Sequence, residues 1–239
     1  MKGFHLLVVV VSSIWLSACL SGEPSGKTPN PGDAFDAASL SVNQSFDMRE
    51  MPFSGQLIKT LHWTDGNGQN TLILSGIEAN QNGDKPKAEI FANHYVEKDG
   101  EVQRLWKIHD WVDQCECDCD VLVVDSTLHI LDINKDGIAE SSFVYLLNDR
   151  CDASPVTTKL MMHSGATKLV VRGSSQLYLL PPTEELQAMG VDVSGMKLKE
   201  FDPAFEKADA KFRDYASAYW DNYIERENAM FKTRMEGQN

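Results

Sequence analysis

Between residues 53 and 180 the apolar positions fall into short runs rich in β-branched and aromatic residues, each ended by a turn signal. Runs 57–63 and 71–77 flank Asp65-Gly66-Asn67-Gly68, and runs 89–96 and 102–112 flank Lys98-Asp99-Gly100. Runs 121–131 and 142–147 flank Asp136-Gly137, and runs 159–163 and 168–171 flank Ser164-Gly165. Glycine after Asp, Asn or Ser supplies the backbone freedom of a tight turn, so each pair of runs predicts a hairpin. Hairpin after hairpin predicts an antiparallel meander. The repeat is not strict enough to predict a propeller.

After Pro181-Pro182 the period changes. Asp202-Pro203 combines an N-cap acid with proline at the first helical position. Phe205, Ala208, Phe212, Tyr215, Ala216, Tyr219 and Tyr223 then recur at three- and four-residue spacing, which marks one buried helix face. Such an aromatic stripe either meets a partner or packs on the chain's own sheet, and the second is the expectation. The predicted class is α+β, mainly antiparallel β: a meander of hairpins followed by a C-terminal amphipathic helix. The β-rich domain is placed at 53–182 and the helical segment, packed on it, at 183–239.

The N-terminal pattern is of another kind. Met1-Lys2 gives a positive start, and residues 4–15 are mostly apolar, too short for a membrane span but right for a secretory signal. The stretch ends in Leu16-Ser17-Ala18-Cys19, which looks like the lipobox of bacterial lipoproteins. The resemblance implies cleavage after residue 18 and a lipid on the Cys19 thiol. At about 0.8 kcal/mol per buried methylene, several acyl chains hold a protein at a membrane almost irreversibly. Leu20 stands where an aspartate commonly means inner-membrane retention, so an outer-membrane address is expected in a Gram-negative cell. Residues 19–52 are rich in Ser, Gly, Pro and Asn and read as a flexible tether, with a reach of about 30 Å. The sequon Asn43-Gln44-Ser45 falls in it and reads as chance in a bacterial chain.

Composition excludes one large class of partner. The chain carries 22 Lys and Arg against 35 Asp and Glu, a net charge of −13. Removing 1–18 takes away Lys2 and no acid. Phosphate binding needs a basic surface, so nucleic acid is not an expected partner. The apolar share of 42% and charged share of 24% are those of an ordinary globular protein.

One motif in the folded part carries chemistry. Asp132-Ile133-Asn134-Lys135-Asp136-Gly137-Ile138-Ala139-Glu140 places oxygen-bearing side chains at positions 1, 3, 5 and 9, with glycine at 6. Calcium takes six to eight oxygens at about 2.4 Å, and acids at alternate positions of a tightly turning loop point inward together. Asp132, Asn134, Asp136, the Ile138 carbonyl and Glu140 are therefore the candidate calcium ligands. The spacing resembles integrin-type calcium loops in β-hairpins; Phe143 at position 12 departs from an EF-hand. The other Asp-Gly turns serve as controls. Around Asp65-Gly66 the matching positions hold Leu61, Trp63 and Gln69, and around Asp99-Gly100 they hold Tyr95, Glu97 and Gln103. Asn82-Gly83 lacks the closing acid, having Pro86 there.

Beyond Cys19, the cysteines are Cys115, Cys117, Cys119 and Cys151. An exported chain lives where disulfides persist, so a bond from one of the first three to Cys151 is the plainer reading, with three connectivities open. The alternative is a soft-metal or redox cluster of the three alternate cysteines, although the second ligand pair usual for zinc is missing. His62, His94, His109, His129 and His163 are scattered through predicted strands and read as packed or half-exposed residues rather than bases. No nucleophile elbow, zinc-protease motif or phosphate loop occurs.

Several stretches together resemble a family of exported surface-polysaccharide-biosynthesis proteins. They are Lys59 to Asp65 with Thr71 to Ser75, Trp106 to Asp110, the 132–140 loop leading into Phe143-Val144-Tyr145, Asp152-Ala153-Ser154-Pro155 before Lys159 to His163, and Val171-Arg172-Gly173. The resemblance implies a cell-envelope role near surface-glycan assembly and assigns no catalytic residue. The expectation is a lipid-anchored accessory or binding protein more than an enzyme, with an envelope protein or glycan as partner. A glycan-acting carboxylate hydrolase and a thiol- or metal-handling envelope protein are the alternatives.

Overall fold

Alternation along a strand lays one row of side chains on each sheet face, and the computed structural model of the chain realises it in two sheets. It describes residues 50–80, 85–151, 155–175 and 199–236, together with Ala188. The signal segment, Cys19, the sequon and Pro181-Pro182 lie outside the described residues. Strands β1 (Gln56–Asp65), β2 (Gly68–Ile77), β3 (Lys87–Lys98) and β4 (Glu101–Asp113) form one antiparallel sheet in that order. Strands β5 (Asp120–Leu131), β6 (Glu140–Asn148), β7 (Val156–Ser164), β8 (Thr167–Ser175) and β9 (Glu200–Phe201) form the second. Each pairs with the next, so the meander is present, broken once where residues 114–119 carry the chain from one sheet to the other.

The inward rows meet in a single core. Leu61, Trp63, Leu72, Leu74, Ile90, Trp106 and Ile108 of the first sheet pack against Ile130, Phe143, Tyr145, Leu147, Met161 and Val170 of the second. Strand β6 is buried along its whole length, because its other row, Val144 and Leu146, faces a second apolar layer. That layer belongs to helix α1 (Ala210–Glu236) and the short 3-10 turn Pro203–Glu206 before it. Phe205, Phe212, Tyr215, Ala216, Tyr219 and Tyr223 are all buried there, as their spacing predicts, and Trp220 joins them. The order of layers is sheet, sheet, helix.

Three boundaries differ from the sequence reading. Asp202 caps the 3-10 turn, accepting the Ala204 N–H at 3.0 Å, and the α-helix starts only at Ala210, where Asp209 accepts from Lys211 N–H at 2.9 Å. The cap signal is real, but it belongs to a separate turn. The second sheet takes β9 from the segment read as helical, since Phe201 pairs with Val171. The tether ends before residue 52: Met51 is buried against Ile73 and Tyr95 on the outer face of the first sheet, and the Tyr95 hydroxyl donates to the Pro52 carbonyl at 2.5 Å.

Candidate metal loop

The 132–140 loop joins β5 to β6, where all three layers meet. Lys135 and Gly137 both adopt positive φ, +65° and +85°. The second position is one that glycine takes without the penalty of a Cβ. This double turn folds the loop's own N–H groups onto its side chains. Asp132 accepts from Asp136 N–H at 3.0 Å through Oδ1 and from Gly137 N–H at 2.9 Å through Oδ2. Asn134 Oδ1 accepts from Asp136 N–H at 3.2 Å, and its amide donates to Asp136 Oδ2 at 2.8 Å. Asp136 Oδ1 accepts from Ile138 N–H at 2.9 Å. The side chains at positions 1, 3 and 5 are thus braced inward by one ring of hydrogen bonds.

Glu140 behaves differently. It is 1% exposed, and its carboxylate accepts from Ile133 N–H at 2.8 Å and from the Ser164 hydroxyl at 3.1 Å. No cationic side chain pairs with it among the described residues. Burial pushes its carboxyl up to about 7, and the negative charges of Asp132 and Asp136 push the same way against its two hydrogen bonds. A buried carboxylate is expensive unless a cation or metal compensates it. An oxygen donor set with an uncompensated buried acid at its end fits a hard divalent cation. Among the described residues no group of three or more His, Cys, Asp or Glu side chains is placed to hold a metal ion by itself.

The loop's neighbours were not evident in the sequence. Gly66 N–H donates to the Gly137 carbonyl at 2.8 Å, so the β1–β2 turn docks directly on it. A Cβ at Gly66 would stand 3.0 Å from that carbonyl oxygen, so a larger residue there would crowd the contact. Asp65 accepts from Ala139 N–H at 3.1 Å and from the Trp63 indole at 3.0 Å. Lys211, in the first turn of α1, donates to the Asn134 carbonyl at 3.1 Å. Asp65, Ser164 and Lys211 come from three other elements, and only the register of two sheets brings them together.

The four cysteines are bonded as Cys117–Cys151, with Cα atoms 5.0 Å apart, and Cys115–Cys119, at 5.5 Å. The first pins the sheet-to-sheet connection to the β6–β7 loop, assisted by Asp118 N–H donating to the Arg150 carbonyl at 3.2 Å. In this state no thiolate of the three alternate cysteines is available to a metal.

Of the histidines, His94 and His163 lie between the sheets. The His163 ring stacks on Trp106 at 3.7 Å and 8°, His94 meets the same indole edge-on at 5.4 Å, and His94 Nε2 donates to Asn70 at 2.9 Å. Burial lowers His94 to about 4 and His163 to about 3, so both are neutral packing residues at physiological pH. His129 Nδ1 lies 3.1 Å from the Tyr215 hydroxyl. At the opposite edge of the core, Asp110 accepts from Tyr145 at 2.7 Å and pairs with Lys159 at 2.5 Å, which clamps the two sheets. No family model, curated protein or solved structure matches the chain.

Proposed function

We propose that this chain is a lipid-anchored accessory or binding protein of the bacterial cell envelope, working near surface-polysaccharide assembly and braced by a structural calcium ion. Glu140 carries the calcium reading: a buried carboxylate without a cationic partner among the described residues, at the end of a loop whose other oxygen donors are held by the loop's own N–H groups. Asp132, Asn134, Asp136, Glu140 and the Ile138 carbonyl would hold the ion, and water would complete the shell. Bound calcium would supply the positive charge that Glu140 lacks. Because Gly66, Ser164 and Lys211 all grip the same loop, the ion would lock both sheets and the helix to one another. The anchor is the lipid on Cys19, and the role is binding rather than catalysis.

Two measurements on the full chain test the two halves of this reading. Cys19→Ser is expected to abolish palmitate labelling and leave uncleaved precursor; labelling that survives removes the anchor. Calcium binding by equilibrium dialysis is expected at one ion per chain, with affinity in the ~10⁻⁴ to 10⁻³ M range of extracytoplasmic sites, and to disappear in Asp136→Ala. Binding that the variant retains places the ion elsewhere.

A further inference from the structure

The outer face of the first sheet carries a built cleft that the calcium loop and the lipid anchor do not use. Its volume is about 360 Å³, with walls from the segment 52–54 and from β4, and a floor from β3. Pockets of a few hundred Å³ with mixed aromatic and polar linings are the usual size for one small ligand or one unit of a longer one. Phe91 and Asn93 point outward from β3 because Ile90 and Ala92 take the core side. Directly opposite stand Lys107, paired with Asn93, and His109, paired with Phe91. The Phe91 and His109 rings stack at 4.5 Å, and Trp111, 45% exposed, continues the row at 5.1 Å from His109.

Three features of this strip call for a ligand. Asn93 is 5% exposed and lines the cleft, and its side chain has no hydrogen-bond partner among the described residues. Buried amides are normally satisfied, so its donors and acceptor are left facing the cleft. Arg104 and Lys107 also line it and make no ion pair among the described residues, in a chain whose net charge is −13. The neighbouring carboxylate, Glu89, is taken by Lys87 at 2.9 Å and His109 at 2.5 Å. Flat rings beside a hydrogen-bonding amide and two cations that make no ion pair among the described residues match a sugar ring bearing a carboxylate. Its C–H face lies on an aromatic, its hydroxyls reach the amide, and its charge meets the guanidinium fork.

We propose that this face binds a uronate-containing glycan, with Arg104 and Lys107 holding the carboxylate, Asn93 a hydroxyl, and Phe91, His109 and Trp111 the ring faces. Alternate residues on β4 stand about 7 Å apart, so the row from Lys107 to Trp111 receives consecutive sugars of an extended chain. The site depends on neither the metal nor the anchor, and its failure leaves both untouched.

The test is calorimetric titration of the full lipidated chain in detergent with a uronate trisaccharide and a neutral trisaccharide of equal length. The uronate is expected to bind at least about tenfold tighter, a factor worth about 1.4 kcal/mol. The double variant Arg104→Gln/Lys107→Gln, which breaks no ion pair among the described residues, is expected to keep the wild-type melting midpoint and lower the uronate to the neutral level. Trp111→Ala is expected to weaken both sugars by a common factor. Equal affinity for the two sugars, absence of binding, or a double variant that retains the preference overturns the proposal. Competition by sulfate as effective as by the uronate reduces the site to an anion hole and overturns the sugar assignment. Retention on phosphatidylglycerol vesicles through the same two cations, without uronate binding, makes it a membrane contact instead.

Discussion

The two sheets share a meander but present opposite outer faces. On the second, Val144, Leu146, Leu160, Met162, Leu169 and Val171 make a continuous apolar surface that helix α1 covers with buried aromatic side chains. On the first, the outward rows of β3 and β4 mix rings with Lys, Asn, His and Glu, and among the described residues only the segment around Met51 lies across part of it. An uncovered sheet of the first kind would expose several hundred Å² of apolar surface, which water disfavours. A mixed face remains soluble without a cover and keeps its functional groups free. The helix is therefore a structural lid on one side, and recognition is left to the other.

Truncation on the two faces separates these roles with the largest effect. Trp220→Ala removes a side chain that is 2% exposed under the helix and is expected to cost about 3–5 kcal/mol by urea denaturation. Trp111→Ala, on the open face, is expected to cost about 1 kcal/mol or less. Similar losses at both positions would mean that the first face is packed as tightly as the second.

The seam between the sheets ranks next. The Cys117–Cys151 bond closes a chain separation of 34 residues and Cys115–Cys119 one of 4. On the chain-entropy account these correspond to about 4 and about 2 kcal/mol. Replacing Cys117 and Cys151 together by Ala is expected to destabilise more than replacing the other pair. Thiol titration of the denatured, never-reduced protein checks the premise, because free thiols at these four positions would contradict both bonds.

Acid probes the core that both sheets share. His94 and His163 are held neutral below their ordinary value of 6.5, to about 4 and about 3. The unfolded chain therefore binds more protons than the folded one, and their contribution is complete above pH 6.5 and lost as pH falls below it. Glu140 works in the opposite sense: with its pKa raised to about 7, it favours the metal-free fold as pH falls from 7 towards 4.5. Two histidines against one carboxyl leave a net loss of about 1–2 kcal/mol between pH 6.5 and 5. Denaturant midpoints in calcium-free buffer check this, and His163→Phe is expected to flatten the profile. Unchanged stability across that window would mean that the histidines are not neutral and buried.

Much of this architecture is written in local pattern. All eight long strands contain the apolar runs that Asp-Gly or Ser-Gly turns set off, because run composition and turn chemistry are properties of neighbours along the chain. What sequence leaves out is what depends on distant partners. Strand β6 has no alternation to read, since both of its faces are buried. The break between β4 and β5 looks like any other turn until residues 114–119 are seen to change sheets. The two-residue β9 exists only because β8 offers it an edge. At the loop, the spacing of Asp132, Asn134, Asp136 and Glu140 is legible, whereas Asp65, Ser164 and Lys211 come from elements far along the chain. The cleft on the first sheet left no motif, because Phe91, Asn93, Arg104 and Lys107 are joined only by strand register and Phe53 reaches them from the segment before β1.

The smallest effect bears most directly on the central claim, because it asks whether the junction of the three layers holds an ion. Thermal midpoints of the protein are compared in millimolar calcium, in equal magnesium and in chelator, alongside Asp136→Ala and its own metal-free midpoint. Calcium is expected to stabilise the wild type by roughly 1–2 kcal/mol, a rise of a few degrees for a chain of this size, with no such rise in magnesium or in the variant. A wild-type midpoint that calcium leaves where magnesium does would contradict the account and make the 132–140 loop a hairpin turn only.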